Sequence, residues 1–544
     1  MAEEERNSIN NNSRERLNRL KDSVSKWLKD PYNLAILGIV ILAFIIRIHY
    51  IILTKGQTLW WDESEYMSTA KHWAFGVPYE LNEQRPPVFQ LLGALLLRLG
   101  FEEFALKFFL VVIPSTAVIY IIFLLGKELF NKRVGICAAL ASAGMWSFLF
   151  WGARFQPDFL SLTFQLLSIF YFWKLFKNPE SKYALLAGLF AAMGFYFKIS
   201  ALLVPLSVFV FILFKDGLKF IKNRIYWRAL LSFIISLIPF GIWQYILFGS
   251  PAAFAPSYIG GRGISERPLG WMTLDFFYGF PKILFFVLFL IGLAAAIFRI
   301  GISFDILMKD EKRRFDSYIF SIMFIILVSS FYIFYIQGAI EDRWVFIMAP
   351  FLFYFAADGM LLTFSYLKIR GKYVIAALML LLFVFFYVQQ LNHADALIKN
   401  KLPSYSLVKE ASVWIRDNSG IDDSVVSASY TQTTNYAERK VYPYAPYQNE
   451  SSFTEFLLEK RPRYMMLSNF ENHPQWAYQM QIHPNGMPAK ISLPYLNSTV
   501  LVDQQGQAIV MDIKEKIQIG NMRFTLVYPK NQINGVFVYE ITYA

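Results

Sequence analysis

Between Leu34 and Leu391 the sequence is a succession of apolar runs, each about 15–24 residues long, separated by short polar breaks. A helix of that length matches the hydrocarbon thickness of a bilayer, and within lipid only helices or closed barrels can satisfy their own backbone groups. The chain is therefore read as an all-α polytopic membrane bundle. About eleven spans are expected, centred near Leu42, Val118, Met145, Ser168, Phe190, Leu206, Ile238, Leu288, Ile325, Phe355 and Leu382. The least distinct boundary lies in 183–214, which is split at Lys198 into two short spans.

The net charge of +12 invites a nucleic-acid reading, but the Lys and Arg fall in short clusters between apolar runs, where they encode orientation. Breaks at Lys127/Lys132/Arg133, Lys174/Lys177/Lys182, Lys215/Lys219/Lys222, Lys309/Lys312/Arg313 and Lys368/Arg370/Lys372 are all basic. The alternate breaks carry Asp62, Glu63, Glu65, Glu102, Asp158, Glu266, Asp275, Glu341 and Asp342 with fewer cations. A cytoplasmic N-terminus, a multi-pass topology and no nucleic-acid partner follow from that asymmetry, and the family resemblance given below implies the plasma membrane. The first run follows a polar tail and is long enough to span, so no cleaved signal peptide is expected. The single cysteine, Cys137, permits no internal disulfide.

Three regions are delimited. Residues 1–33 form a cytoplasmic tail whose Leu17, Leu20, Val24, Trp27 and Leu28 recur at helical spacing, as in an amphipathic helix lying on the membrane. Residues 34–391 form the transmembrane domain, with its first outer loop at about 55–102. From 392 to 544 the apolar runs shorten to strand length, at 424–429, 464–468, 508–513 and 535–541, with helical stretches near 407–418 and 452–460. That pattern describes a soluble α/β domain, extracytoplasmic by parity.

The chemistry concentrates on the outer breaks. Trp61-Asp62-Glu63-Ser64-Glu65-Tyr66 opens a short interfacial helix, in which Glu65 is read as an acid favoured by the helix dipole. Arg85-Pro86-Pro87 fixes an extended backbone that holds Arg85 at the membrane surface, able to clamp a phosphate. Asp158 heads the fourth span after Arg154-Phe155-Gln156-Pro157, Lys198 lies between two apolar halves, and Arg343 follows Glu341-Asp342. Ionisable groups near membrane depth are costly, so functional use is the default reading. Carboxylates and cations gathered where membrane meets water suit a phosphorylated lipid. A transporter or flippase of lipid-linked sugars is the alternative, but no internal repeat supports it.

These segments, together with Gly194-Phe195-Tyr196-Phe197-Lys198, Asp342-Arg343-Trp344 and Ala349-Pro350, occur in the order found in glycosyltransferases of the C fold. The sequence most resembles the branch of protein O-mannosyltransferases and lipid A aminoarabinose transferases, glycosyltransferase family 39 in type, over about residues 34–391. The resemblance implies an enzyme that moves a sugar from a polyprenyl- or dolichyl-phosphate carrier to a protein, lipid or glycan acceptor on the outer face. It implies Asp62 as general base, with Glu63 and Asp158 completing the catalytic set. Arg85, Lys198 and Arg343 would bind the donor phosphate, and Arg262 and Arg267 in the Gly/Pro-rich loop 260–270 would also reach the donor. Arg85 stands where the aminoarabinose branch usually has Lys, which keeps the charge and changes the grip. Clustered acids can hold a divalent ion, but the cations already neutralise phosphate, so no metal and no cofactor are expected.

Overall fold

A computed structural model describes residues 18, 22, 25–256, 277–306, 312–335, 341–367 and 372–544, apart from 445–446, 448, 469, 472–473, 487, 506–507 and 530–534. Arg262 and Arg267 lie outside the described residues, as does most of the amphipathic helix expected in the tail, of which 25–28 are helical.

Helices occupy ten of the eleven expected positions, and at the eleventh, centred on Met145, two helices meet at a break. They are α1 (Pro31–Leu53), α4 (Glu103–Leu129), α5 (Lys132–Gly144) continued by α6 (Trp146–Trp151), α7 (Asp158–Lys177), α8 (Ser181–Phe197), α9 (Leu203–Asp216), α10 (Arg224–Phe248), α11 (Phe280–Ile306), α12 (Lys312–Tyr335), α13 (Ala349–Tyr366) and α14 (Lys372–Lys401). Eight helices among the described residues are by themselves long and apolar enough to cross a bilayer, so the structure establishes a multi-pass membrane protein without fixing eleven crossings. Two short helices of the first loop, α2 (Trp61–Phe75) and α3 (Val88–Arg98), complete the set at the end of the bundle where α7 begins.

Local chemistry sets the helix ends. Asp30 caps α1 by accepting from the Tyr32 amide at 3.0 Å, with Pro31 in the first turn. The third span is broken: Met145 is extended (φ −63°, ψ 123°), which separates α5 from α6. Lys198 is extended as well (φ −154°, ψ 125°), so the split expected there is a real helix break. Small residues let helices approach closely: a Cβ on Gly292 would meet the Phe355 carbonyl oxygen at 2.0 Å, and one on Gly359 would meet that of Leu288 at 2.0 Å. Beneath the loop helices an aromatic layer locks the elements together, with Phe148 of α6 4.7 Å from Phe346 and 5.3 Å from Phe159 of α7.

The C-terminal region adds α15 (Ser406–Asp417), α16 (Tyr430–Ala437) and α17 (Glu450–Lys460) to ten strands, β1 (Ser424–Ser427), β2 (Lys440–Tyr442), β3 (Tyr464–Ser468), β4 (Gln479–Ile482), β5 (Pro488–Leu493), β6 (Ser498–Val502), β7 (Ala508–Asp512), β8 (Lys516–Ile519), β9 (Met522–Tyr528) and β10 (Val536–Tyr543). One sheet runs β2-β1-β3-β10-β9-β8, parallel through β2, β1 and β3 and antiparallel beyond; β4 to β7 form an antiparallel meander. The strands at 424, 464, 508 and 536 are those expected; β2, β4–β6, β8 and β9 are additional.

α16 joins this domain to the loop helix α2. Its Thr431, Gln432, Thr433, Thr434 and Asn435 are all buried. The Tyr436 hydroxyl accepts from the Leu59 amide at 2.9 Å, and Lys71 Nζ donates to the Asn435 carbonyl at 2.6 Å and to Glu438 at 2.8 Å.

Candidate active site

Asp62 stands in the first turn of α2, where the positive end of the helix dipole favours a carboxylate. Its Oδ1 accepts from Arg85 Nη2 at 2.9 Å and its Oδ2 from Arg343 Nη2 at 2.7 Å. The side chain keeps 24% of its surface exposed. Burial pushes its pKa upward, but Arg85 and Arg343 outweigh that and hold it down at about 2.

Arg343 is the hub. It projects from a 3₁₀ turn (Asp342–Val345) between α12 and α13. Besides Asp62 it meets Glu341 (Nε to Oε2, 2.5 Å) and Asp158 (Nη1 to Oδ2, 3.9 Å). Asp158, first residue of α7, takes Lys198 Nζ on its other oxygen at 2.5 Å. The break after α8 places that ammonium here, since an extended Lys198 turns out of the helix it ends. Four of the expected residues, Asp62, Asp158, Lys198 and Arg343, thus share one network, with Arg85 joined through Asp62.

Glu63, expected beside Asp62 in the catalytic set, is fully buried: it accepts from the Trp60 amide at 2.8 Å and the Phe155 amide at 2.6 Å, with Arg154 at 3.6 Å. Consecutive residues on a helix point about 100° apart, so its neighbour's direction is closed to it. Arg85, expected to bind the donor phosphate, is paired with carboxylates in the structure, with Nε 3.0 Å and Nη2 2.7 Å from Glu65 Oε2. Glu65 was the residue missed. It follows Asp62 by three positions, the spacing that puts two side chains on one helix face. Asn82 Nδ2 steadies it at 2.8 Å, and Arg85 also donates to the Tyr66 hydroxyl at 3.1 Å.

No set of three His, Cys, Asp or Glu side chains converges as metal ligands among the described residues, and both Asp62 oxygens already serve guanidinium groups. The arrangement offers an ionised, reachable carboxylate flanked by cations.

A bundle with a broken helix at Lys198, an acidic loop helix and an α/β C-terminal domain has the glycosyltransferase C fold. The oligosaccharyltransferase AglB of Archaeoglobus fulgidus, solved with an inhibitory peptide and a dolichol-phosphate, superposes with a TM-score of 0.58 over 81% of this chain and 70% of its own, at 14% identity. The apo form of the Archaeoglobus fulgidus oligosaccharyltransferase gives 0.59 over 88% and 76%, at 14% identity. ArnT of Cupriavidus metallidurans bound to undecaprenyl phosphate gives 0.57 over 80% and 93%, at 11% identity. Residues 84–243 match the family model of dolichyl-phosphate-mannose-protein mannosyltransferases, a stretch that contains Arg85, Asp158 and Lys198. No curated protein matches the sequence.

Proposed function

We propose that this protein is a membrane glycosyltransferase that moves a sugar from a polyprenyl- or dolichyl-phosphate carrier to an acceptor hydroxyl at the outer face of the plasma membrane. One observation carries the reading: an ionised Asp62, open to solvent on one side, lies between Arg85 and the Arg343–Asp158–Lys198 network. The basic breaks lie at the opposite end of α4 and α7, which supports a cytoplasmic N-terminus and an extracytoplasmic C-terminal domain.

The acceptor oxygen attacks the anomeric carbon, the bond from that carbon to the phosphate oxygen breaks, and the acceptor proton passes to Asp62. The lipid phosphate leaves as a dianion, whose charge Arg343 and Lys198 stabilise in a site poor in water. Displacement from the face opposite the phosphate inverts the anomeric centre. Asp62 is a weak base while both guanidinium groups hold it. A donor phosphate that draws Arg343 toward itself releases one of those contacts, so the base strengthens when the donor is in place. These two cations, Arg343 and Lys198, supply the neutralisation, and no metal enters the scheme.

The test uses wild type and Asp62→Asn in nanodiscs with a panel of radiolabelled polyprenyl-phosphate sugars and a membrane extract as acceptor. Label transfer with release of lipid phosphate, lost in a folded Asp62→Asn, supports the reading. Equal transfer by the variant removes Asp62 as base. Consumption of no donor, with lipid flipping in liposomes, replaces the enzyme by a transporter.

A further inference from the structure

Arg343 carries three carboxylates, yet none of them explains how the guanidinium is aimed. The answer lies one residue earlier. Asp342 turns into the bundle, where its carboxylate accepts from Trp151 Nε1 at 2.9 Å and from the Ser147 hydroxyl, both on α6. The Trp151 ring lies under the next residue, 4.6 Å from the Arg343 guanidinium carbon. One indole thus grips two successive residues of the turn, the first by its N–H and the second by its π face.

α6 can do this only because the third span breaks at Met145. The break leaves carbonyls at the end of α5 without helical partners. Arg47, 1% exposed in the middle of α1, reaches one of them, donating to the Ala143 carbonyl at 3.4 Å, and also bonds Ser115 Oγ at 3.1 Å and the Ala43 carbonyl at 3.1 Å. An arginine inside a membrane helix is costly, and here it is spent on the break that presents Ser147 and Trp151. A purely structural corner would be built more cheaply from apolar side chains than from a buried carboxylate and a buried arginine.

We infer that Asp342 and Trp151 are positioning residues for the donor phosphate: the α6 bracket fixes the Arg343 guanidinium before the lipid arrives. The inference rests on the reading of Arg343 as a phosphate-binding residue given above. Its chemistry is preorganisation, since a guanidinium already held in one rotamer gives up less freedom when it meets the anion. Neither residue touches the substrate; both act through Arg343.

The probe is undecaprenyl phosphate, bound by full-length protein in nanodiscs. Trp151→Phe keeps the ring and loses the N–H, Asp342→Leu loses both hydrogen bonds, and Asp342→Asn retains an acceptor. Trp151→Phe and Asp342→Leu should weaken binding about fivefold or more, and Asp342→Asn should stay within about twofold of wild type. In an Arg343→Ala background the same changes should move the dissociation constant by less than about twofold, because a residue that works only through Arg343 has nothing left to position. A residue that merely supports the fold would add its full loss in both backgrounds. If Asp342→Leu does not fold, Trp151→Phe in the two backgrounds decides. Unchanged binding in these variants, with binding still weakened in Arg343→Ala, overturns the bracket alone. Wild type that does not bind undecaprenyl phosphate overturns the donor reading and this inference with it.

Discussion

Glu65 holds Arg85 through two contacts, Nε at 3.0 Å and Nη2 at 2.7 Å, while the same Nη2 reaches Asp62 at 2.9 Å. Arg85 therefore links the two acids of one helix face, and Glu65 makes more of the contacts that set its position. Glu65→Gln should lower turnover roughly tenfold through a displaced Arg85, against a loss of about 100-fold or more for Asp62→Asn. Steady-state transfer rates for the two variants check the order; a Glu65→Gln enzyme as impaired as Asp62→Asn would make Glu65 the base.

Glu63 gives the opposite expectation. Its carboxylate is shut in by the Trp60 and Phe155 amides and by Arg154, whose guanidinium stacks 3.6 Å from the Trp60 ring. Removing it leaves two amides and a buried cation unmatched, so Glu63→Ala should cost about 2–4 kcal/mol of stability. Turnover per folded molecule should change little. Thermal melting in detergent alongside activity normalised to folded protein separates the two effects.

Two acids set opposite pH windows. Asp62, held at about 2, adds stability that is complete above its ordinary carboxylate range and is lost as pH falls toward 2. Burial raises Asp342 to about 6, against the hydrogen bond from Trp151, so between about 4 and 6 the folded chain keeps a proton that the unfolded chain has released. Stability should therefore decline as pH rises through that window and level off above it. Melting temperatures from pH 4 to 7.5 should show this decline in wild type and lose it in Asp342→Asn.

The docking of α16 on α2 is a fourth point of attack. Tyr436→Phe leaves the buried Leu59 amide without its acceptor, at a cost of about 1–3 kcal/mol, next to the start of the catalytic helix. Hydrogen exchange over residues 59–70 should quicken in this variant while the bundle helices stay protected. Unchanged exchange there would mean that the C-terminal domain does not steady α2.

The spans were legible because the bilayer imposes one length and one composition on every crossing, which is why helices lie at ten of the eleven positions and why the polar Lys198 marks a break. The network was only partly legible. Asp62, Asp158, Lys198 and Arg343 are each exceptional as ionisable groups at the edge of apolar runs, and that signal needs no fold. Pairing is different: Arg343 and Asp62 are 281 positions apart, and nothing local tells Arg85 to face Glu65 instead of solvent. Glu63 is adjacent to Asp62, and adjacency on a helix means divergence. The break at Met145 escaped notice because the residues around it are apolar. Of the second sheet only β7 was legible; β4 is exposed along its whole length and carries no alternation.

The 281 positions between Asp62 and Arg343 also order events in biosynthesis. When α2 and α7 have already left the translocation machinery, their acids have only Arg85 and Lys198 for company, and the hub that joins them is still unsynthesised. A nascent chain that ends between residues 198 and 340 carries every carboxylate of the network except that of Glu341, with the assembled centre still to come. Competence arrives late and all at once, after the membrane topology has been settled.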